Sequence, residues 1–333
     1  MIQDITQLSV PASVPASVPA FAVREVCAVL GVSASGFYAH CHKDQGHRYR
    51  EDQVLAGALK SAFEDSRGTY GSPRLVRALR GGGLHTSKTR VRRLMQSHGL
   101  CPRQKRRVRV RTTQSNPYLP VAPHRLLEAP PVTQPGERFY SDITYIPTQE
   151  GWLFTAATVD GYSRMCAGWS AADNMEAPLV LRAAQRAFAA ATATATATAA
   201  AAATAAAAAT ATATAKLHHS DRGSQYASEL FRDFLQDNEV IQSMSRKGNC
   251  YDNALMESFW ATLKTECFDN FRDGIPATRQ AARQKLFSYI EVFYNRKRLH
   301  SSLGYCSPIE FEAIYKQQQN LQKEENPSLS VST

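Results

Sequence analysis

The sequence predicts a mixed α/β domain: a sheet of three antiparallel strands plus two further strands, flanked by helices and preceded by small all-α helix-turn-helix units. Three observations predict it. Three short apolar segments follow one another across tight loops. Two pairs of helical segments come before them, separated from them by a proline-rich stretch. Lys plus Arg is 39 against Asp plus Glu 29, a net charge of +10, which favours a polyanionic partner and nucleic acid first.

The 333 residues are enough for two or three domains with at least one sizeable core. The 7 cysteines are scattered, odd in number and without a C-x-x-C pair, the usage of reduced thiols in a cytoplasmic protein. No charged, apolar leader opens the chain, so a signal peptide is not expected.

Residues 9–20 repeat Ser-Val-Pro-Ala, and a proline at every fourth position blocks a helix, so residues 1–20 read as a disordered leader. Val23, Val26, Cys27 and Leu30 then share a helical face, Gly31 breaks it, and a second short helix follows through Phe37 and Tyr38. That pair reads as a helix-turn-helix or as an ordinary helical hairpin. In the next pair, Ser72-Pro73 reads as cap and first turn, Leu75, Val76 and Leu79 as the apolar stripe, and Gly81-Gly82-Gly83 as the stop. Ser87 can cap the following helix, with Val91, Leu94 and Met95 inward and Arg90, Arg92 and Arg93 including solvent-facing positions. A basic run then carries Arg103, Lys105, Arg106 and Arg107 with no acid among them. Such a run is a solvated tether or a phosphate contact, and its place after two helical pairs favours phosphate. The helical region therefore spans 21–112, and a linker with six prolines, 113–136, ends it.

Arg138–Ile146, Gly151–Val159 and Met165–Ser170 read as the three strands, joined closely enough to be an antiparallel meander. Asp142 stands inside the first. An isolated carboxylate in a buried strand is costly, so it needs a partner. Asp160, before Gly161, reads as a turn residue. A helix from about Glu176 enters a tract of only Ala and Thr, 189–215. The tract is long enough to span a bilayer but has no Leu, Ile, Val or Phe to drive insertion, and reads as a protruding helix or loop, not a membrane segment. Lys216–Ser220 reads as a strand ending at Asp221, followed by a helix over 228–236 and a strand over 240–245. Asp252 can cap a helix running to about Phe268. On it Asn253, Glu257 and Lys264 share one face, which is a site or simply a solvated surface. A last helical region covers 278–294, and 313–333 reads as a polar tail. Arg296 and Arg298, with His300 beside them, suit a DNA backbone, or a solvated loop. Arg222 and His219, flanking Asp221, complete the expected DNA contacts.

Three acids thus stand apart from one another in the chain: Asp142, Asp221 and, after thirty-five intervening residues, Glu257. Shared divalent cations would satisfy all three, and that chemistry suits phosphoryl transfer on DNA. A non-catalytic DNA-binding regulator and a nuclease of RNA–DNA hybrids are the rival readings.

The motifs Ser141-Asp142-Ile143-Thr144-Tyr145, Asp160-Gly161-Tyr162-Ser163-Arg164, His219 to Tyr226, Tyr251 to Ala254, Glu257-Ser258-Phe259 and the run from Tyr294-Asn295 to Pro308 together resemble bacterial insertion-sequence transposases. The likeness is to the second-reading-frame product of the third insertion-sequence family, over about Val23–Phe311. The resemblance implies a ribonuclease-H-like catalytic core like that of retroviral integrases, over 137–312. It implies an Asp142, Asp221, Glu257 triad holding Mg²⁺ or Mn²⁺, two ions in all, with Lys264 near the DNA end. It also implies a first-reading-frame partner protein, a homo-oligomer on DNA, and a place in the cytoplasm with the nucleoid. The Ala/Thr tract departs from the short basic connection that the family has before its second Asp.

Overall fold

A computed structural model describes residues 23–41, 47–103, 120–202, 216–246, 250–271 and 274–325. The leader, most of the basic run with Lys105, Arg106 and Arg107, and the second half of the Ala/Thr tract lie outside the described residues. The chain forms two compact units, Met1–Cys101 and Pro102–Thr333.

In the first unit, α1 (Val23–Val29) and α2 (Ala34–Cys41) flank a turn at Gly31, whose φ of 66° suits glycine. Ser33 Oγ accepts the Gly36 N–H at 2.9 Å and so caps α2. Three more helices follow: α3 (His47–Asp65), α4 (Ser72–Gly81) and α5 (Lys88–Ser97). Sequence reading had passed over α3, because its buried stripe is only Leu55, Ala56 and Leu59 in a polar segment. Those three pack with Leu75, Val76, Leu79, Val91, Leu94 and Met95 as the buried apolar residues of the three helices. Ser87 caps α5 as expected, accepting the Arg90 N–H at 3.2 Å. Ser72 does not cap α4: Gly71 holds that place, and Ser72 and Pro73 are already helical.

The arginines of α5 include solvent-facing positions, and two of them are also tied down. Arg90 donates to Asp52 Oδ1 at 2.6 Å and to Glu51 Oε2 at 3.1 Å, and Arg93 donates to Asp52 Oδ2. Burial alone would raise the Asp52 carboxyl, but hydrogen bonds from Arg93 and Arg90 outweigh it and hold the group below its ordinary range. Arg90 and Arg93 therefore fasten α5 to α3, and Arg92 and Arg93 are the exposed positions.

The second unit is built on one five-stranded sheet in the order β3-β2-β1-β4-β5. Strands β1 (Arg138–Thr148), β2 (Gly151–Asp160) and β3 (Cys166–Ala172) form the antiparallel meander, and β4 (Leu217–Ser220) and β5 (Ile241–Met244) add in parallel. Alternation along β1 divides its side chains between two faces. Phe139 and Ile143, with Ala156 of β2, pack under α6 (Ala177–Ala202) and α7 (Glu229–Asp237). Asp142 and Ile146 fall in the other set, opposite Ala157 and Leu153. Helix α8 (Ala254–Phe268) lies against β1, and α9 (Arg279–Phe287) against β1 and β2.

Helix α6 lies unusually close to β3. A Cβ on Gly168 would stand 2.1 Å from the Ala183 carbonyl and 2.6 Å from the Ala187 nitrogen, so only glycine fits there. Ala183, Ala184 and Ala187 are the fully buried helix side of that contact. Helix α6 carries into the Ala/Thr tract as far as Ala202. Among the described residues no helix is long and apolar enough to cross a membrane.

Two further boundaries differ from expectation. The second half of the proline-rich linker belongs to this unit: Arg125 N donates to Ser243 Oγ at 2.9 Å beside β5. Residues 313–325, expected as tail, continue α10 (Pro308–Glu325). Between α9 and α10 a π-helical segment, Ser288–Tyr294, leads into a turn closed by the His300–Cys306 bridge.

Candidate active site

Asp142 lies mid-strand in β1, and Asp221 follows the last residue of β4. The parallel register pairs Tyr140 with His219, so extending it by two places sets Asp221 level with Asp142. Glu257 lies in the first turn of α8, exposed. One turn before it, Asn253 donates from Nδ2 to the Ser141 carbonyl at 3.2 Å and pins the start of the helix to the strand beside Asp142.

The three acids act on one another. Asp142 is half-buried as a residue, but its carboxyl lies among packed atoms, and this burial together with the negative charges of Asp221 and Glu257 pushes the group up to about 8. The Ile143 N–H and the Trp260 indole act against that rise. The Tyr145 hydroxyl is raised by burial, then by Asp221 and Asp142. Lys264 is half-buried; burial lowers its ammonium and Asp142 draws it back up. Asn253, Glu257, Trp260 and Lys264 therefore form one stripe of α8, at positions 0, 4, 7 and 11 of a helical face, and all four bear on the Asp142 end of β1. Sequence reading found three of the four. Trp260 was not singled out, although its place three residues after Glu257 was the available signal.

Hard oxygen donors with mutual repulsion are the donor set that suits a divalent cation. Among the described residues, however, no three His, Cys, Asp or Glu side chains stand ready-gathered for an ion. The carboxylates fit the chemistry of the ion.

Asp160 is a structural acid, as its place before Gly161 suggested. Its two oxygens accept from Gly136 N at 2.7 Å, Tyr162 N at 2.9 Å, Ser163 N at 2.7 Å and Ser163 Oγ at 2.9 Å. Asp252 does not cap α8. It lies in a 3₁₀ turn, Cys250–Asn253, and accepts from the Arg246 backbone N–H at 2.8 Å and from its guanidinium at 2.9 and 3.1 Å.

The Arg246 side chain is the main cause of an Asp252 carboxyl lowered to about 2. A depressed carboxyl stabilises the fold above its unfolded pKa, about 3.9, and that contribution is lost as pH falls through the folded value. Asp252→Asn is accordingly expected to lower the melting temperature at pH 6 and to narrow its gap from the parent protein between pH 4 and pH 2. Thermal denaturation at those three pH values checks it, and a constant gap would rule out this source. The exposed Arg246 side chain keeps the effect small.

Several expected DNA contacts are corrected by their burial. His219 is fully buried, with Nδ1 2.9 Å from Ser243 Oγ and Nε2 3.0 Å from Ser245 Oγ. Burial, then His124, lowers its imidazole to about 4, so it is neutral and faces no phosphate. Arg298 is 4% exposed and grips both oxygens of Glu266, at 2.6 and 2.7 Å. Tyr289 Oη donates to the same carboxylate at 2.8 Å. His300 is buried against the Tyr294 ring, 4.9 Å between centroids. Asn295 exchanges both hydrogen bonds with Cys166 at the head of β3, at 3.0 and 3.1 Å. Asn295, Arg298 and His300 thus form a clasp on the sheet and on α8.

Arg103 donates to the Glu266 carbonyl at 3.1 Å and stands 3.8 Å from Asp269, at the end of α8. Arg222 is braced on the Ser245 carbonyl at 2.6 Å while flanking Asp221. Arg296 is exposed, as is Lys297, and is bonded to the Glu291 carbonyl at 3.1 Å.

Comparison with known proteins agrees with this architecture. The integrase core domain matches residues 132–250 and again 238–308, and an HTH-like domain matches residues 50–108. The latter places the helix-turn-helix likeness on α3–α5, not on α1–α2. The chain is 37% identical over 292 residues to the insertion element IS600 uncharacterized 31 kDa protein of Shigella sonnei, covering 88% of this chain and 99% of that protein. It is 32% identical over 296 residues to the transposase InsF for insertion sequence IS3A of Escherichia coli K12, covering 88% of this chain and 94% of that one. Among solved structures, the HTLV-2 integrase catalytic core domain in complex with magnesium aligns with 54% of this chain and 97% of its own length, at 13% identity and a TM-score of 0.36. With an integrase core and relatives matched along nearly their whole length, the chain belongs to the IS3 family of insertion-sequence transposases.

Proposed function

We propose that this protein is a polynucleotidyl transferase that cleaves and joins phosphodiesters at the ends of an insertion element, with Asp142, Asp221 and Glu257 as its metal-holding acids. The observation that carries the reading is placement. Asp142 lies mid-strand in β1, Asp221 directly follows β4, the strand paired with β1, and Asn253 ties the helix carrying Glu257 to Ser141 beside Asp142. Such a cluster costs folding energy unless cations compensate it.

When bound, two divalent ions (Mg²⁺ or Mn²⁺) supply Lewis acidity at the attacking and leaving oxygens of an in-line displacement. The chain's own part is to bind and orient. Asp142 on a rigid central strand fixes one corner of the site, and the Asn253 bond to β1 fixes the helix that brings Glu257. Lys264, seven residues further along the same face, offers a positive charge for the phosphates of a DNA end. The helices α3–α5 and the basic run after them grip the terminal repeat. The exposed Arg296 and the half-buried Arg222 add sequence-independent contacts. The partners follow from the family: element and target DNA, a first-reading-frame protein, and further copies of this chain on the DNA, in the cytoplasm with the nucleoid.

The test is a cleavage and joining assay on duplexes ending in the element's own terminal repeats. Joined product is expected with Mg²⁺ or Mn²⁺ and none after chelation. Product formed equally well in excess chelator would overturn the reading. A hybrid-cleavage arm separates it from a nuclease of RNA–DNA hybrids, which needs no terminal repeat.

A further inference from the structure

No Asp or Glu occurs anywhere in residues 66–127, while Lys and Arg recur throughout. Helices α4 and α5 fall in that span, so every formal charge they carry is positive. At helical spacing, Thr89, Arg92, Arg93 and Gln96 of α5 stand on the side opposite its buried Val91, Leu94 and Met95, and all four are exposed. That face suits the major groove of duplex DNA. There arginine pairs with the edge of guanine, glutamine pairs with adenine, and the threonine methyl packs on thymine.

The acids that face α5 come from α3. The Asp52 side chain is 13% exposed and takes two arginines at once, Arg90 Nε on Oδ1 at 2.6 Å and Arg93 Nη2 on Oδ2. Glu51 takes Arg90 Nη2 at 3.1 Å. Two cations and two anions cancel, so this cluster adds little to the pull of α5 on phosphate. Phosphate contacts strengthen binding to every sequence alike, whereas base contacts discriminate. Holding two arginines away from phosphate therefore raises the share of affinity that depends on sequence. Arg92, on the same helix, is not part of that cluster and keeps its charge for DNA.

We propose that Asp52 is a specificity-determining positioning residue of the DNA-gripping unit. It keeps Arg90 and Arg93 off the phosphates and holds α5 so that Arg92 and Gln96 meet base edges of the terminal repeat. The inference rests on reading α3–α5 as the grip on that repeat.

The full chain is titrated in chelator, so that nothing is cut, at several salt concentrations. One duplex carries the element's terminal repeat and the other is a scrambled duplex of the same length. Asp52→Asn should tighten the scrambled duplex about fivefold or more and steepen its log–log salt dependence by about one to two, since each added phosphate contact contributes ~0.9. The preference for the repeat should shrink with it. Adding Arg93→Gln to Asp52→Asn should take back part of the steepening. Asp52→Asn also loosens α5 from α3, so the melting temperature is recorded beside it. Glu51→Gln, a change at a half-exposed side chain that touches only Arg90 of the two arginines, should move the scrambled duplex the same way by a smaller factor. An Asp52 that served the fold alone predicts otherwise: both duplexes weaken together and the salt dependence holds. That result in both variants overturns the inference, as does an unaltered preference in both. Arg92→Ala is the separate control, expected to weaken the repeat roughly tenfold or more and the scrambled duplex far less. If the parent protein binds both duplexes alike and Arg92→Ala changes neither, the grip assigned to α3–α5 has itself failed. A parent preference that Asp52→Asn and Glu51→Gln leave intact condemns only the role of Asp52.

Discussion

Asp221→Asn is expected to abolish ion-dependent cleavage and joining while leaving DNA binding and the fold in place. The amide keeps the size of the side chain and its hydrogen bond to the Gly223 N–H, 3.0 Å in the parent protein. What it loses is the negative charge that a hard cation requires. Asp221 is also the larger of the two charges that raise Asp142. Removing it relieves repulsion, so the melting temperature in chelator should hold or rise, against the usual trend for substitutions at buried sites. Activity should drop by at least about 10²- to 10³-fold, the scale of losing one major electrostatic contributor at a reacting centre. Strand joining on terminal-repeat duplexes, electrophoretic binding to the same duplexes, and thermal denaturation check the three parts. Joining at the parent rate would remove Asp221 from the site. Loss of DNA binding together with joining would show instead that the substitution reached beyond the ions.

Which residues could be read from the chain, and which could not, follows from how local their physics is. Asp142 stood out because an acid in a β-branched run has no local excuse, and the α8 stripe of Asn253, Glu257 and Lys264 needs only helical spacing. The cap at Ser87 is likewise decided within four residues, and it accepts the Arg90 backbone N–H as expected. Helix α3 escaped notice because a stripe of two leucines and one alanine barely differs from a polar segment, and its packing depends on α4 and α5. His219 looked like a polar group beside a catalytic acid. Its true partners, Ser243 and Ser245, sit on a parallel strand that only the sheet order brings alongside.

The same non-local physics makes Arg298 the second large effect. In sequence, Arg296, Lys297 and Arg298 form one basic cluster, and a DNA-contact reading treats them alike. In the fold Arg298 is 4% exposed and holds both oxygens of Glu266, while Arg296 is exposed. Truncating one member of a buried ion pair leaves the other charge without compensation, which costs about 3–5 kcal/mol. Arg298→Met should therefore lower the melting temperature of its unit by on the order of 10 °C. Arg296→Met should stay within about 0.5 kcal/mol of the parent protein. The pair joins the C-terminal clasp to the helix that carries Glu257, so activity should be lost with it. The double variant Arg298→Met with Glu266→Gln removes the stranded charge and should recover much of the stability, with Tyr289 Oη still able to donate to the amide oxygen. Should Arg298→Met instead melt like the parent protein and weaken only DNA affinity, the cluster is a DNA surface after all, and the clasp that orients α8 must be sought elsewhere.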